Sequence, residues 1–191
     1  SLPAAFDAVL KDNIFGLELD ARCTQIAAFN LAMAAWKQCG HRQLSQIHLA
    51  CSGLAPNTTE DEWVNLAGND TRFRGGMESL YQLFQKAPAL GSLVNPHLLG
   101  DMLTADFHEL QPLLQKVLGR EVREDARLEL AVAAQGITKA ADILAERFSL
   151  VATNVPYLGR GKQDDVLRRY CERMHPNAKS DIATCFVERC L

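Results

Sequence analysis

A short apolar run, a long amphipathic stretch and a second short apolar run open this chain, and that order restricts its fold more than any other feature. Asn13–Leu19 reads as a strand. Asp20 stands in an N-cap position for a helix to about Gln38, in which Ile26, Phe29, Met33 and Trp36 recur at helical spacing. Gly40 is placed to end that helix, and Gln46–Cys51 reads as a second strand, broken by Gly53-Leu-Ala-Pro56-Asn57. Parallel strands need a crossover of a dozen or more residues, usually a helix, so this order predicts a parallel sheet. Open sheets of that kind take their ligands beyond the carboxyl ends of the strands.

The chain changes character between about Thr58 and Arg147. A short helix is expected over Thr58 to Gly68, with Thr58 and Asp61 spaced as a variant capping box. Further helices are expected over Met77–Lys86, around Phe107, Leu110, Leu114 and Val117, and along Leu130, Ala134, Ile137, Ala141 and Leu144. Gly75-Gly76 and Ala87–Gly100 read as connectors. A stretch of about 90 residues far exceeds an ordinary crossover, so residues 58–147 are expected to be a helical insertion. It would divide a strand–helix–strand part at 1–57 from a final part at 148–191, which holds a strand and two helices over about Gln163–Met174 and Ser180–Leu191.

Composition removes several classes. No apolar run approaches the ~18 residues of a membrane span, and the first residues lack a secretion-signal layout, so a cytoplasmic protein without membrane contact is expected. The six cysteines form no C-x-x-C pair and the five histidines form no H-x-H or H-x-x-x-H pattern, which predicts reduced thiols and no metal. A net charge of -3 is inconsistent with a wholly basic nucleic-acid coat, but a local basic patch fits within it.

Such a patch follows the chain's most distinctive segment. Phe148-Ser-Leu-Val-Ala-Thr-Asn154-Val155-Pro156-Tyr157 runs an apolar strand into an Asn-x-Pro-aromatic tetrapeptide. An exocyclic amino group of adenine is a poor nucleophile because its lone pair is delocalised into the ring. The Asn154 side-chain oxygen and the Val155 main-chain carbonyl form an acceptor pair that draws the nitrogen towards a nucleophilic geometry. Their grip strengthens as charge develops. Tyr157 offers a ring for an extrahelical base. Stacking is worth about 1–3 kcal/mol against a flipping cost of a few kcal/mol.

This segment resembles the N-P-P-Y motif of adenine-specific (N6-amino) DNA methyltransferases, especially those of restriction–modification and phage-defence systems. Gly16-Leu-Glu18-Leu-Asp20 is similar to the family's G-[IL]-E-[IL]-D segment, and Lys179-Ser-Asp181-Ile-Ala-Thr-Cys-Phe-Val-Glu-Arg is similar to a segment that follows the catalytic loop. The resemblance implies a Rossmann-like α/β sheet, here partial and with a large helical insertion. It also implies S-adenosylmethionine as cofactor, with Glu18 on its ribose and Cys51-Ser52 near its adenosine, and double-stranded DNA as partner. Val155 replaces the family's first proline but keeps the main-chain carbonyl, and Pro156 still biases it to extended conformations. The family's D-P-x-x-G-x-G turn does not precede Asn13, and Gly159-Arg160-Gly161-Lys162 lies on the wrong side of the motif to replace it. The chain is therefore expected to be an interior piece of a longer enzyme, inactive without its remaining segments.

Arg160, Lys162, Arg168, Arg169 and Arg173 are candidates for DNA phosphates, with Asp164, Asp165 and Glu172 diluting the patch, so a solvated helix face is the other reading. Asp20 reads as a cap before it reads as a ligand, and Cys51-Ser52 reads as structural before it reads as a cofactor contact. The rival to the enzyme reading is a helical protein-interaction or DNA-specificity module that carries an unused methyltransferase remnant.

Overall fold

The computed structural model describes residues 1–99, 110, 112, 114 and 125–191. Its first elements are α1 (Leu2–Asp12), β1 (Phe15–Glu18), α2 (Ala21–Cys39) and β2 (His48–Cys51). The two strands pair in parallel, Phe15 opposite His48 and Glu18 opposite Cys51. Asp20 caps α2 by accepting the Arg22 N–H at 2.7 Å. Gly40 closes it at a φ of 78°, which side chains disfavour.

Helix α1 was not expected from the sequence, although Pro3 in its first turn was a legible start signal. A distant residue fixes it. The Arg42 guanidinium meets Asp7 at 2.6 Å and donates to the Pro3 carbonyl at 3.2 Å.

The middle of the chain holds α3 (Glu60–Val64), α4 (Thr71–Phe84), α5 (Ala87–Leu90) and α6 (Asp125–Ala145). The capping box on α3 is one residue later than expected: Thr59 and Glu62 make the reciprocal pair. Gly75-Gly76 is not a connector but lies inside α4, whose start is fixed by the Asp70 cap. Gly76 suits the helix because a Cβ there would stand 2.9 Å from a Leu110 methyl. Of the expected helix around Phe107–Val117, Leu110, Pro112 and Leu114 are helical, and the rest lies outside the described residues.

The core is built on Trp63, Met77, Leu80, Phe84, Ala134 and Ile137, all fully buried. Burying side chains of this kind stabilises by about 1.5–3 kcal/mol each. One continuous cluster joins them to Ala50 of β2 and to Cys171 and Cys185 of the last two helices, α7 (Asp165–Met174) and α8 (Ile182–Cys190). Trp63 also donates its indole N–H to the Met77 carbonyl at 2.8 Å. The fold is thus helix-rich around a small two-stranded parallel sheet.

The expected strand at Phe148–Thr153 does not form. These residues follow α6 as irregular backbone, bent at Ser149, without a ladder partner among the described residues. Phe148 meets the sheet through its ring, 5.2 Å from that of Phe15. Apolar content alone does not make a strand; a neighbour must accept the backbone hydrogen bonds. Leu150 consequently remains 85% exposed. The α2 stripe of Ile26, Phe29 and Met33 is likewise exposed, and it is Ala35 that faces inward. Among the described residues no helix is long and apolar enough to cross a membrane.

Candidate functional site

Glu18 ends β1 with its carboxylate exposed, opposite Cys51 at the end of β2. The two ends are clamped together. Ser52 donates its backbone N–H to the Glu18 carbonyl at 2.7 Å and its hydroxyl to the same oxygen at 3.3 Å. The Cys51 thiol points to the Leu19 carbonyl at 3.2 Å. Ser52 is further held by Ser92, oxygen to oxygen 3.1 Å, a partner 40 residues away that no local pattern announces. Gly53 completes the clamp, since a Cβ there would lie 2.3 Å from the Leu19 carbonyl oxygen.

These bonds divide the four residues expected near a cofactor. The Glu18 carboxylate is exposed and makes no hydrogen bond or ion pair among the described residues. Asp20 uses Oδ1 as the α2 cap and lies 3.7 Å from Arg22. Cys51 and Ser52 are buried and spend their polar atoms on the backbone of the neighbouring strand. Lys139 of α6 braces the other end of β2, donating to the Ile47 carbonyl at 2.8 Å. Burial lowers the pKa of its ammonium.

The Asn154–Tyr157 loop is anchored on both flanks and open at its centre. On one side Phe148 rests on Phe15. On the other, Ile182 donates its N–H to the Leu158 carbonyl at 3.2 Å, the Gln163 side-chain amide donates to the same oxygen at 3.2 Å, and Arg160 N–H reaches the Ser180 carbonyl at 3.0 Å. Gly159 pairs with Asp181, which caps α8 through the Ala183 N–H at 2.9 Å. Val155 and Leu158 pack against the core and fix the loop's two inner points. Between and beside them Asn154 and Pro156 are exposed, and Tyr157 is 93% exposed. Among the described residues nothing hydrogen-bonds the Asn154 amide.

The basic residues that follow separate into two kinds. Arg160 is paired with Glu172, its Nε 3.1 Å from the carboxylate, and holds that carboxyl below the usual range. Arg168 is paired with Asp165. Lys162 and Arg169 are exposed, with no carboxylate in ion-pair range among the described residues. Arg173 on α7 shares their situation, and so does Lys86 before α5, which lies outside the basic segment. Lys86 gave no signal in the sequence because it stands some 80 residues from the basic segment.

A strand pair ending in an open carboxylate, together with a firmly anchored Asn-x-Pro-Tyr loop, defines a class: an α/β unit that presents polar side chains at a sheet edge. Within that class the chain belongs to the family described as Eco57I restriction-modification methylase, whose sequence model matches residues 12–191. It is 25% identical over 205 residues to "Adenine-specific methyltransferase BrxX" of Escherichia coli O9:H4 (strain HS), covering 94% of this chain and 16% of that protein. It is 24% identical over 192 residues to "Adenine-specific methyltransferase PglX" of Lacticaseibacillus casei (strain Zhang), covering 95% of this chain and 15% of that protein. The chain thus spans about a sixth of the length of these relatives.

Proposed function

We propose that this chain supplies the base-gripping loop and the ribose-binding carboxylate of an S-adenosylmethionine-dependent DNA adenine methyltransferase. The observation that carries this reading is the loop itself: Val155 and Leu158 pack against the core, while Asn154 just before them and Tyr157 between them are exposed. A side-chain acceptor whose neighbours are held in place, and which no described residue satisfies, is already organised for a donor from outside.

The Asn154 amide oxygen accepts one amino hydrogen of an extrahelical adenine, and the Val155 carbonyl accepts the other. Tyr157 stacks on the base, offsetting about 1–3 kcal/mol of the flipping cost. The cofactor supplies an electrophilic methyl group when bound. The Glu18 carboxylate, free of partners among the described residues, fits the two hydroxyls of its ribose. The polar atoms of Cys51 and Ser52 are satisfied within the sheet, so their part is to hold Glu18 in register, and that of Asp20 is to cap α2 beside it.

Exposed apolar side chains support a further partner within the same protein. Leu150 and Val151 are exposed two and three residues past Phe148, whose ring meets Phe15 of β1, and Ile26, Phe29 and Met33 form an open stripe on α2. In the full-length protein a strand laid between β1 and Phe148–Thr153 would extend the sheet in the Rossmann manner. It would also give that segment the ladder it lacks here. In this reading the helices from α3 to α6 are the insertion, and the strand–helix–strand unit and the Asn154 loop are the two parts of the catalytic domain.

Methyl transfer by the full-length protein to duplex DNA tests the reading. Asn154→Ala removes one acceptor from the transition state, and losing one such group costs about 10²–10³ in rate. The expected result is a fall of at least about 100-fold in methylation with DNA affinity unchanged. Wild-type methylation by that variant would instead favour the interaction-module reading.

A further inference from the structure

Away from the loop, α4, the segment following it and α7 enclose an open groove of about 550 Å³. Its floor is apolar, formed by Leu83, Leu90, Val94 and Tyr170, and Tyr170 is locked by donating its hydroxyl to the Leu93 carbonyl at 2.7 Å. Its rim carries three cations, Lys86, Arg169 and Arg173. The carboxylate on the same rim, Asp165, is taken up by Arg168. Among the described residues no carboxylate lies within ion-pair range of the three rim cations. The groove is therefore a concentration of uncompensated positive charge in a chain whose net charge is -3.

We propose that this groove holds the sugar–phosphate backbone of a DNA strand, with phosphates on Lys86, Arg169 and Arg173 and the carbon edge of the deoxyriboses against the floor. Arg169 and Arg173 stand four residues apart on one face of α7, about 6 Å along its axis. Lys86 faces these two from the segment after α4, so the charge is spread along the rim rather than gathered at one point, as a chain of phosphates requires. A small anion would leave most of the rim unpaired, and an acidic polypeptide would satisfy the charges but has no part in methyl transfer to DNA.

This inference rests on reading the protein as a DNA methyltransferase, but it concerns different residues from the loop, so the two fail separately. The salt dependence of duplex binding tests it, measured by fluorescence anisotropy with the full-length protein between about 50 and about 300 mM salt. Each phosphate contact contributes ~0.9 to the slope of log affinity against log salt. The variant carrying Lys86→Gln, Arg169→Gln and Arg173→Gln is expected to lose about 2.7 from that slope, while Asn154→Ala keeps the wild-type value. A folded triple variant, judged by an unchanged circular dichroism spectrum and melting point, that retains the wild-type slope would overturn the proposal. Should the triple variant not fold, Arg173→Gln alone is expected to lose ~0.9, and an unchanged slope would count equally against it. Labelled poly-glutamate that binds the wild type and not the triple variant, with duplex binding the same in both, would assign the groove to an acidic protein instead.

Discussion

Replacing Gly53 with alanine puts the strand-end clamp under direct strain, and the outcome can be worked from distances. A Cβ at this position falls 2.3 Å from the Leu19 carbonyl oxygen and 2.9 Å from a Leu19 methyl carbon. Carbon–oxygen contacts in proteins begin near ~3.3 Å, so the carbonyl must retreat by about 1 Å. It is part of the main chain directly after Glu18, whose own carbonyl takes the Ser52 N–H at 2.7 Å. A shift of that size removes this bond, worth about 0.5–1.5 kcal/mol, and adds about 1–3 kcal/mol of overpacking. The stiffer unfolded chain offsets about 0.4–1 kcal/mol. The net loss is about 0.5–4 kcal/mol, centred near about 2, or a fall of about 1–16 °C in melting temperature at 2–4 °C per kcal/mol for a chain of this length. Gly75→Ala is the matched control. Its Cβ meets nothing within 4 Å and it lies inside α4, so better helix propensity is expected to raise the melting point by a few degrees. Thermal melts of both variants decide the matter. A Gly53→Ala protein that melts at or above the wild type, or in step with Gly75→Ala, would refute the close-approach argument.

Two further outcomes follow from the core and from titration. Trp63→Ala empties a fully buried site and leaves its share of the Met77 carbonyl unfilled. The expected cost is about 3–5 kcal/mol, seen as a fall of about 1.5–2.5 M in urea midpoint for a slope of about 2 kcal/mol/M. His48, at the start of β2, has its pKa lowered by burial and then by nearby Lys139. The unfolded chain therefore binds the proton more readily, so this histidine does not destabilise the fold above its unfolded value of about 6.5 and does so progressively below it. Urea midpoints of the wild type are expected to fall more steeply from pH 7 to pH 5 than those of His48→Asn, and parallel profiles would contradict the assignment.

Local information was sufficient wherever one segment settled its own conformation. Asp20 and Gly40 bound α2 because a cap and a positive-φ glycine act within one turn of backbone, and the apolar runs on either side paired in parallel as a helical crossover requires. The same information misled where a neighbour was needed. Phe148–Thr153 has the composition of a strand but no ladder partner among the described residues. Gly75-Gly76 has the composition of a turn but lies under Leu110 inside a helix.

The site shows the same division. The Asn-x-Pro-Tyr loop and the Glu18 segment were legible as chemistry because residue type and spacing state which donors and acceptors are present. Their working condition was not. Packing of Val155 and Leu158 leaves Asn154 and Tyr157 open, ion pairs with Glu172 and Asp165 occupy Arg160 and Arg168, and Lys86 joins α7 from some 80 residues away. Sequence determined which functional groups this protein carries and the helix–strand grammar around them, since both depend on covalent structure and near neighbours. Tertiary structure alone decided which groups remain available, because availability is whatever burial and pairing by distant residues leave behind.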